Sequence, residues 1–523
     1  GPKSELPVAA QKIDADFKED LPVAATEESS FQENKNDSAT AVPVVEIPPS
    51  KVITVKTDVL VLEIDTKGGT LQNLDLVKYP ETQENPDVLI RLFNTDSEKL
   101  FLAQSGLISS NGAAPNHHTF LSYEQDSYEM DSDQKTLRVP LSWVNDQGIK
   151  VTKTFILNRG SYLIQLEQKV DNNSGKVWTG RQYTQLVRKP YSEESGNTFI
   201  RTYTGGVLYT EEEKYEKIEY DDMADKNLNV KTKGGWSAMI QHYFASAWIP
   251  PANEENQFYS KELKDWRYVI GSYSEQKNVQ PGEQLVMTSR LFSGPKLQPV
   301  MEKIAPGLEL TVDYGFLTFI GKPIFWLLNY IHELVVNWGF AIMGVTLCIK
   351  ALFFKLSEAS YRSMAKMRKI QPRLQQLKER FADDRQRFNQ EMMAMYKKEK
   401  VNPMGGCFPI LVQIPVFISL YWVLIETVEL RQAPFALWIT DLSIKDPFFV
   451  LPVLMGITMW IQQKLNPAPI DPIQARVMKM FPIMFTVFFL FFPAGLVLYW
   501  VVNNTLSIVQ QWYITKKIEE GAE

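Results

Sequence analysis

Cysteine and histidine are scarce in this sequence, and their scarcity excludes several classes of protein. The 523 residues include 2 cysteines and 4 histidines. Both cysteines, Cys348 and Cys407, lie in apolar segments, so the sequence predicts neither a disulfide framework nor redox chemistry. It contains no His-Glu-x-x-His pattern, no Gly-x-Ser-x-Gly pattern and no complete Walker A loop. We therefore predict a protein that is not an enzyme and that needs no metal or other cofactor.

An excess of positive charge is also missing. The formal net charge is -6, whereas binding to DNA requires a basic face, so DNA is not an expected partner. The mean hydropathy of -0.19 conceals a division of the chain, because a polar first half precedes an apolar second half. This division predicts a multi-domain protein with a membrane part.

The first half changes character near residue 50. Residues 1–50 are rich in Ala, Pro, Glu, Asp and Ser without a sustained apolar period, which predicts a disordered tether. Residues 51–308 are then predicted to form an antiparallel β-sandwich with a short helix at its C-terminal edge, because polar and apolar residues alternate there between turn clusters such as Lys67-Gly68-Gly69. The alternating stretches include 53–64, 139–143, 149–157, 162–169 and 285–292.

Beyond residue 316 the apolar period becomes helical. Residues 316–336 are predicted to form an amphipathic helix in the membrane interface, with Trp326 and Trp338 as interfacial anchors. Five transmembrane spans should follow, several of them shorter than the roughly 20 residues that cross a bilayer comfortably, which implies local thinning of the membrane or support from neighbouring helices. The predicted spans are 337–357, 407–429, 448–465, 479–492 and 496–515.

The charges of the connecting loops predict the orientation in the membrane. Residues 361–400 contain 12 Lys or Arg against 5 Asp or Glu, which places this segment in the cytoplasm. Residues 430–447 lack this excess and are predicted to be a periplasmic loop, whereas 466–478 and the tail 516–523 should be cytoplasmic. The β-domain is then outside the cytoplasm, so we expect an exporting segment upstream of Gly1.

The basic segment 361–400 is predicted to fold as a cytoplasmic helical hairpin, because apolar residues recur every three or four positions on both sides of Ala382-Asp383-Asp384. A basic, methionine-rich hairpin suits anionic lipid headgroups, ribosomal RNA or a nascent chain, although a solvated charged face explains most of its charges. Its candidate contact residues are Met364, Met367, Arg368, Lys369, Met392 and Met395.

Lys350 is the leading candidate for a functional residue, because it is a lone ammonium within the apolar stretch 338–354. Polar residues at matching depths in other apolar segments predict a shared, water-accessible groove. The alternatives are a lysine that reaches the interface beside unrelated interhelical hydrogen bonds, and a hydrolytic dyad with Ser357 or Ser507. The predicted groove residues are Lys350, Thr346, Gln413, Asn504 and Ser507.

Four ordered motifs in the second half resemble the YidC/Oxa/Alb family of membrane protein insertases. They are Tyr361-Arg-Ser-Met-Ala-Lys-Met-Arg, Lys400-Val-Asn-Pro-Met-Gly-Gly-Cys-Phe-Pro, Val428-Glu-Leu-Arg-Gln-Ala-Pro-Phe and Phe491-Phe-Pro-Ala-Gly-Leu-Val-Leu-Tyr-Trp. The resemblance extends from about residue 51 to the C-terminus and fits the Gram-negative type.

The resemblance implies a periplasmic β-supersandwich, an all-α core of five transmembrane helices with a cytoplasmic helical hairpin, and a first transmembrane helix that this chain lacks. It also implies an inner-membrane location, and nascent membrane proteins, ribosomes, SecYEG, SecDF and membrane lipids as partners. In the family an arginine receives polar parts of the substrate, and Lys350 occupies that position here. Lysine keeps the charge but loses the bidentate geometry of the guanidinium.

The function expected from the resemblance is insertion and chaperoning of nascent membrane proteins, alone or with the Sec translocon. Hydrophilic segments would cross through the positively charged groove while apolar helices enter the lipid. Substrate helices would contact apolar side chains, which could equally be lipid-facing filler. These are Ile414, Phe417, Phe485, Phe489, Tyr499 and Trp500. A membrane channel or transporter and a membrane-anchored periplasmic carbohydrate-binding module remain as alternatives.

Overall fold

The computed structural model describes residues 20–22, 50–191, 202–381, 384–399, 408–466 and 472–519. Most of the predicted tether, the motif segment 400–407, part of the predicted loop 466–478 and the end of the predicted tail therefore lie outside the described residues. The chain divides into two compact units, a β-rich unit that ends at Thr311 and a helical unit that begins at Val312.

The β-rich unit contains strands β1 to β20 and two short helices, α1 (Tyr220–Asp225) and α2 (Gln298–Ile304). The strands are β1 (Val52–Lys56), β2 (Leu60–Asp65), β3 (Thr70–Pro80), β4 (Leu89–Arg91), β5 (Phe101–Ser109), β6 (Ser122–Tyr123), β7 (Ser127–Glu129), β8 (Thr136–Val144), β9 (Ile149–Asn158), β10 (Leu163–Asn172), β11 (Trp178–Arg188), β12 (Gly205–Thr210), β13 (Lys214–Ile218), β14 (Asn229–Lys233), β15 (Trp236–Ile240), β16 (Phe244–Ile249), β17 (Glu255–Leu263), β18 (Arg267–Ser274), β19 (Lys277–Val279) and β20 (Gln284–Pro295).

Two sheets form this unit. The 11-stranded sheet has the order β14-β17-β18-β11-β5-β3-β2-β1-β7, with β19 paired to β11 and β4 paired to β3. The 9-stranded sheet has the order β13-β12-β15-β16-β20-β10-β9-β8-β6. Strands β1 and β7 pair in parallel, whereas the long neighbours β9, β10 and β20 pair antiparallel. The β-rich domain predicted from the alternating pattern is therefore present.

The core of this unit lies between the two sheets. In β10 the side chains alternate between buried and half-buried, so Ile164, Leu166 and Val170 point to one face. One hydrophobic cluster joins Leu107 and Trp178 of the larger sheet to Val151 and Val170 of the smaller sheet. Because a side chain changes face at every residue of a strand, the period-two pattern of the sequence is the direct cause of this two-layer packing.

One predicted strand is divided in the structure. The alternating stretch 53–64 forms the hairpin of β1 and β2, in which Thr57 N–H donates to the Leu60 carbonyl at 2.8 Å. The Thr57 hydroxyl accepts from the Leu60 N–H at 3.0 Å and closes the turn. A short turn without glycine or proline interrupts the alternation too little to be visible in the sequence pattern.

The helical unit contains eight α-helices among the described residues, and their order along the chain matches that of the apolar segments. They are α3 (Thr318–Val335), α4 (Trp338–Leu352), α5 (Phe354–Arg380), α6 (Arg385–Lys398), α7 (Phe408–Glu426), α8 (Val450–Leu465), α9 (Pro472–Phe489) and α10 (Ala494–Glu519). Asn337 caps α4, because its side chain accepts a hydrogen bond from the Phe340 N–H at 3.1 Å.

A bend at Phe353 divides the predicted span 337–357 into α4 and α5, which meet at 67°. Within the described residues, no helix is by itself both long and apolar enough to meet the criteria for a membrane span. The bent pair α4–α5 meets them when its two helices are taken together, and α7 contains a shorter apolar stretch, Leu411–Glu426.

Helices α5 and α6 pack side by side around a small apolar cluster. Ile370, Leu374 and Tyr396 are buried, and Met367, Met392 and Met395 pack against them. The three methionines, which the sequence analysis considers as contact residues for partners, therefore belong to the seam of the helix pair. Arg368 and Lys369 are exposed on its surface, and Met364 is half-buried.

Candidate functional site

A cavity of about 610 Å³ lies within the helical unit. Its lining comes from α4, α5, α7, α8, α9 and α10, so residues that are distant in the sequence share one space. The polar lining residues are Lys350, Ser357, Ser360, Gln413, Gln462, Gln463, Asn466, Asn503, Asn504 and Ser507. The apolar and aromatic ones are Tyr361, Met364, Ile414, Phe417, Met459, Met478, Phe481, Pro482, Phe485, Tyr499 and Trp500.

Lys350 provides the charge of this cavity. Its side chain lies at the end of α4, two residues before Leu352, and only 9% of the residue is exposed. Its Nζ donates to the Ser507 Oγ at 2.6 Å, and the Ser507 hydroxyl donates to the Asn503 carbonyl at 2.8 Å. An ammonium has three N–H donors, and this is the single hydrogen bond of Lys350 among the described residues. Two donors therefore remain for a ligand or water.

The cation is also without a carboxylate partner in the described part of the chain. The salt bridges of the helical unit involve other residues, such as Arg362 with Glu358 and Arg373 with Glu399. A buried and unpaired cation carries a large desolvation cost, and an anionic or strongly polar ligand in the cavity would offset it. The site is thus chemically suited to carboxylates and peptide carbonyls.

The remaining polar groups hold the surrounding helices together. Asn504 Nδ2 donates to the Thr458 Oγ1 at 3.4 Å, which joins α10 to α8. Gln511 Nε2 donates to the Leu465 carbonyl at 3.2 Å and to the Asn466 Oδ1 at 3.0 Å. Such interhelical hydrogen bonds keep polar side chains at fixed positions within an apolar bundle.

Aromatic rings form the other wall. Phe417 of α7 lies 5.9 Å from Tyr499 and 4.7 Å from Trp500 of α10, measured between ring centroids. Phe485 of α9 stacks on Phe481 at 5.5 Å. The indole Nε1 of Trp500 is buried and has no acceptor among the described residues. The cavity is consequently polar beside Lys350 and aromatic beside α7 and α9.

The structure brings most of the sequence-predicted residues together, but not all of them. Lys350, Gln413, Asn504 and Ser507 line the cavity. Thr346 does not line it, because its hydroxyl is buried within α4 and donates to the Ile342 carbonyl at 2.7 Å. Among the aromatic and apolar candidates, Ile414, Phe417, Phe485, Tyr499 and Trp500 line it. Phe489 instead packs behind Trp500, at 6.0 Å between ring centroids.

Several lining residues were missed by the sequence analysis. Gln462 and Gln463 follow the apolar stretch of α8, and Met459 and Met478 face the same space from α8 and α9. The pair of glutamines at the end of an apolar segment was a usable signal, because it matches the polar ending of α10. The methionines offered none, since an apolar residue in a helix faces either lipid or a cavity with equal ease.

The β-rich unit contains a second polar cluster, and no sequence motif predicted it. Ligand atoms of Asp20, His117 and His118 lie within 4.8 Å of one another. No local sequence pattern links these residues, because Asp20 is 97 residues from His117. Its geometry is compatible with either a cation or a set of direct hydrogen bonds.

Comparisons with known proteins identify both units. A family profile described as the YidC periplasmic domain matches residues 52–327, and one described as the 60Kd inner membrane protein matches residues 330–521. A membrane protein insertase YidC from Methylococcus capsulatus is 62% identical over 473 residues, which are 90% of this chain and 87% of that protein. The insertase YidC from Nitrosococcus oceani is 52% identical, covering 90% of this chain and 86% of that protein.

A solved structure is also similar. The crystal structure of an active YidC insertase with its first transmembrane domain resolved matches with a TM-score of 0.40 and 16% identity. The match covers 90% of this chain and 95% of that chain.

Proposed function

The chain belongs to the YidC family of membrane protein insertases, inner-membrane proteins with a periplasmic domain, and we propose that it inserts substrates through the cavity around Lys350. The family acts as an insertase rather than as an enzyme. The observation that carries the proposal is a buried ammonium with two unused donors, enclosed by polar side chains on one side and aromatic rings on the other.

The polar side of the cavity is the proposed path for hydrophilic segments of a nascent protein. A peptide group that enters a fully apolar medium without a hydrogen-bond partner loses roughly 4–8 kcal/mol of hydration, and an ionised carboxylate loses far more. Lys350, Gln413 and Asn504 would replace part of that hydration while the segment crosses. No nucleotide is required, because transfer of the substrate's apolar helix from water into lipid drives the step.

The aromatic side is the proposed contact surface for the substrate's transmembrane helix. Phe417, Phe485 and Trp500 offer flat apolar surfaces beside the polar groups. A helix on this side of the cavity would contact aromatic rings rather than the polar groups beside Lys350.

The proposed arrangement in the membrane has five spans, with the β-rich unit in the periplasm and the α5–α6 pair in the cytoplasm. Large apolar side chains are exposed on the helices, including Trp460 at 50%, Ile483 at 69% and Val487 at 54%. Exposed apolar surface of this extent is rare on a protein surrounded by water and suits contact with lipid. On α3, Phe319 and Trp326 are exposed at 72% and 66%, as a helix in the interface requires.

The α5–α6 pair is the proposed cytoplasmic contact site for ribosomes, nascent chains or lipid headgroups. Three of its methionines pack in the internal seam, and the surface available to a partner includes the exposed basic residues Arg368 and Lys369. Cooperation with SecYEG and SecDF and a chaperone role belong to the same proposal, on the ground of family membership alone.

Photocrosslinking to stalled nascent chains tests the proposed path. A photoreactive amino acid in place of Phe417, which lines the cavity, should crosslink to a nascent membrane protein. The matched control is the same amino acid in place of Trp460, which is aromatic and exposed but does not line the cavity. Crosslinks of equal yield from both positions, or crosslinks from Trp460 alone, would show that substrates do not pass through the cavity.

A further inference from the structure

The second polar cluster holds a piece of the tether. The Asp20 Oδ2 lies 3.0 Å from the His117 Nε2. The Asp20 Oδ1 lies 2.9 Å from the His118 Nε2. The side chain of His117 is 1% exposed, that of His118 is 20% exposed, and that of Asp20 is 16% exposed. Both carboxylate oxygens of Asp20 therefore meet an imidazole in a largely enclosed site.

A hydrogen-bonded chain orients His117 toward the carboxylate. The His117 backbone N–H donates to the Tyr183 hydroxyl at 3.0 Å, and the same hydroxyl lies 2.6 Å from the His117 Nδ1. Burial raises the pKa of the Tyr183 phenol, so the hydroxyl keeps its proton and can donate it to Nδ1. We assign the proton of His117 to Nε2, because this tautomer satisfies every group in the chain.

This arrangement selects an ionised carboxylate. Burial alone would raise the pKa of Asp20, but the hydrogen bonds from His117 and His118 outweigh it and hold the pKa below its usual range. Burial lowers the pKa of His117, against the opposing effect of Asp20, so His117 is a neutral donor. The two imidazoles thus place a ring nitrogen within hydrogen-bonding distance of each carboxylate oxygen of Asp20.

The site also holds the tether's backbone. Gln185 Nε2 donates to the Asp20 carbonyl at 3.2 Å, and Gln185 is itself held by the Gln104 Oε1 at 2.8 Å and by the Tyr259 hydroxyl at 2.5 Å. Pro22 is buried. A cation bound by the three side chains would need neither of these two contacts, whereas a docked peptide explains both.

The sequence contains a second, nearly identical copy of the docked segment. Asp20-Leu-Pro-Val-Ala-Ala is preceded, 15 residues earlier, by Glu5-Leu-Pro-Val-Ala-Ala. The two stretches differ in one residue, and that difference keeps the carboxylate. A tether that serves only as a spacer has no reason to repeat an acidic residue before Leu-Pro.

We propose that the pocket formed by His117, His118, Tyr183 and Gln185 is a binding site for an acidic-Leu-Pro peptide, and that its occupant is the chain's own tether. Asp20-Leu-Pro is the segment bound in the structure, and Glu5-Leu-Pro is a second ligand for the same pocket. Exchange between the copies would shift the bound position by 15 residues of the sequence, and 15 residues can span at most about 50 Å. The inference does not depend on the proposed insertase path.

Photocrosslinking within the full chain tests this proposal. A benzophenone amino acid in place of Leu21, in detergent-solubilised protein, should crosslink to peptides that contain His117 or Tyr183. Asp20→Asn should lower the yield at least tenfold, because a neutral amide loses the charge-assisted hydrogen bonds. Asp16→Asn, in the same tether, is the matched control and should leave the yield unchanged. His118→Gln, at a partly exposed position, should lower the yield without unfolding the domain.

Competition and chelation complete the experiment. A free peptide of residues 18–27 at millimolar concentration, which matches the effective concentration of a tethered segment, should suppress the crosslink. The peptide of residues 3–12 should do the same, and the 18–27 peptide with asparagine at the Asp20 position should not. Crosslinks that fall outside the β-rich unit, or a yield that Asp20→Asn does not change, would overturn the proposal. So would a yield that EDTA abolishes and Zn²⁺ restores, since the group would then be a metal site.

Discussion

Replacing Lys350 with alanine should impair the insertion of substrates in proportion to the acidity of their exported tails. A carboxylate 4 Å from the ammonium would be attracted by about 4 kcal/mol at an effective dielectric constant of 20. Partial desolvation of the carboxylate reduces this gain, and hydrogen bonds to charged groups typically contribute a net 1.5–3 kcal/mol. We expect a loss of about 2 kcal/mol, which corresponds to roughly 30-fold lower occupancy of the cavity by an acidic segment.

The assay is insertion of a single-span substrate into proteoliposomes, measured by protection of its exported tail from protease. Two substrates are compared, one with Asp and Glu in the tail and one with Asn and Gln at the same positions. Lys350→Ala should slow the acidic substrate strongly and the neutral one little, and Lys350→Arg should restore the rate because it keeps the charge. Lys464→Ala is the matched control, because Lys464 also ends an apolar helix but does not line the cavity.

Two results would refute the reasoning. An equal loss for acidic and neutral tails would show that Lys350 supports the structure of the bundle rather than the passage of charge. An unchanged rate for the acidic tail at normal amounts of protein would show that the cation takes no part in insertion.

Two further predictions concern stability. Asp446, which is fully buried, accepts hydrogen bonds from the Trp438 Nε1 at 2.9 Å and from the Phe448 and Leu451 N–H groups at 3.0 and 2.7 Å. Asp446→Ala should therefore destabilise the start of α8 by about 2–4 kcal/mol, seen as a lower Tm in detergent, and an unchanged Tm would contradict this role. Burial lowers the pKa of Lys153 to about 7 from an ordinary value of 10.5. Between these values the unfolded chain binds more protons, so the free energy of unfolding should rise with pH. Relative to Lys153→Met, the gain should be about 3 kcal/mol between pH 7 and pH 9.5 in urea titrations, and parallel pH curves for the two proteins would contradict it.

Local patterns in the sequence were sufficient for the class of each unit. Polar and apolar residues alternate in strands such as β10, which places the apolar side chains on one face of the sheet. Every β-sandwich buries such a face, whatever the order of its strands. The change to a helical period after residue 316 was equally local, and α3 to α10 follow the predicted order. The turn at Thr57 and the bend at Phe353 were not visible, because neither contains the glycine or proline that usually marks such a change of direction.

The candidate site was only partly accessible to the same reasoning. Placing a charged lysine within an apolar membrane segment costs free energy, so such a residue is rare and usually functional. Lys350 could therefore be identified without a structure. Thr346 and Phe489 were predicted on depth along the helix, which does not say which side of the helix meets the cavity. The glutamines of α8 were missed for the same reason.

From the sequence alone, the composition, the two periodicities and the ordered motifs determined a β-rich unit, a helical unit and the family resemblance, because each depends on residues close together in the chain. Tertiary structure alone decided which polar groups meet. Lys350 reaches Ser507 across 157 residues, and Asp20 reaches His117 across 97. Contacts at such separations depend on how whole helices and sheets pack, and no local pattern records that packing.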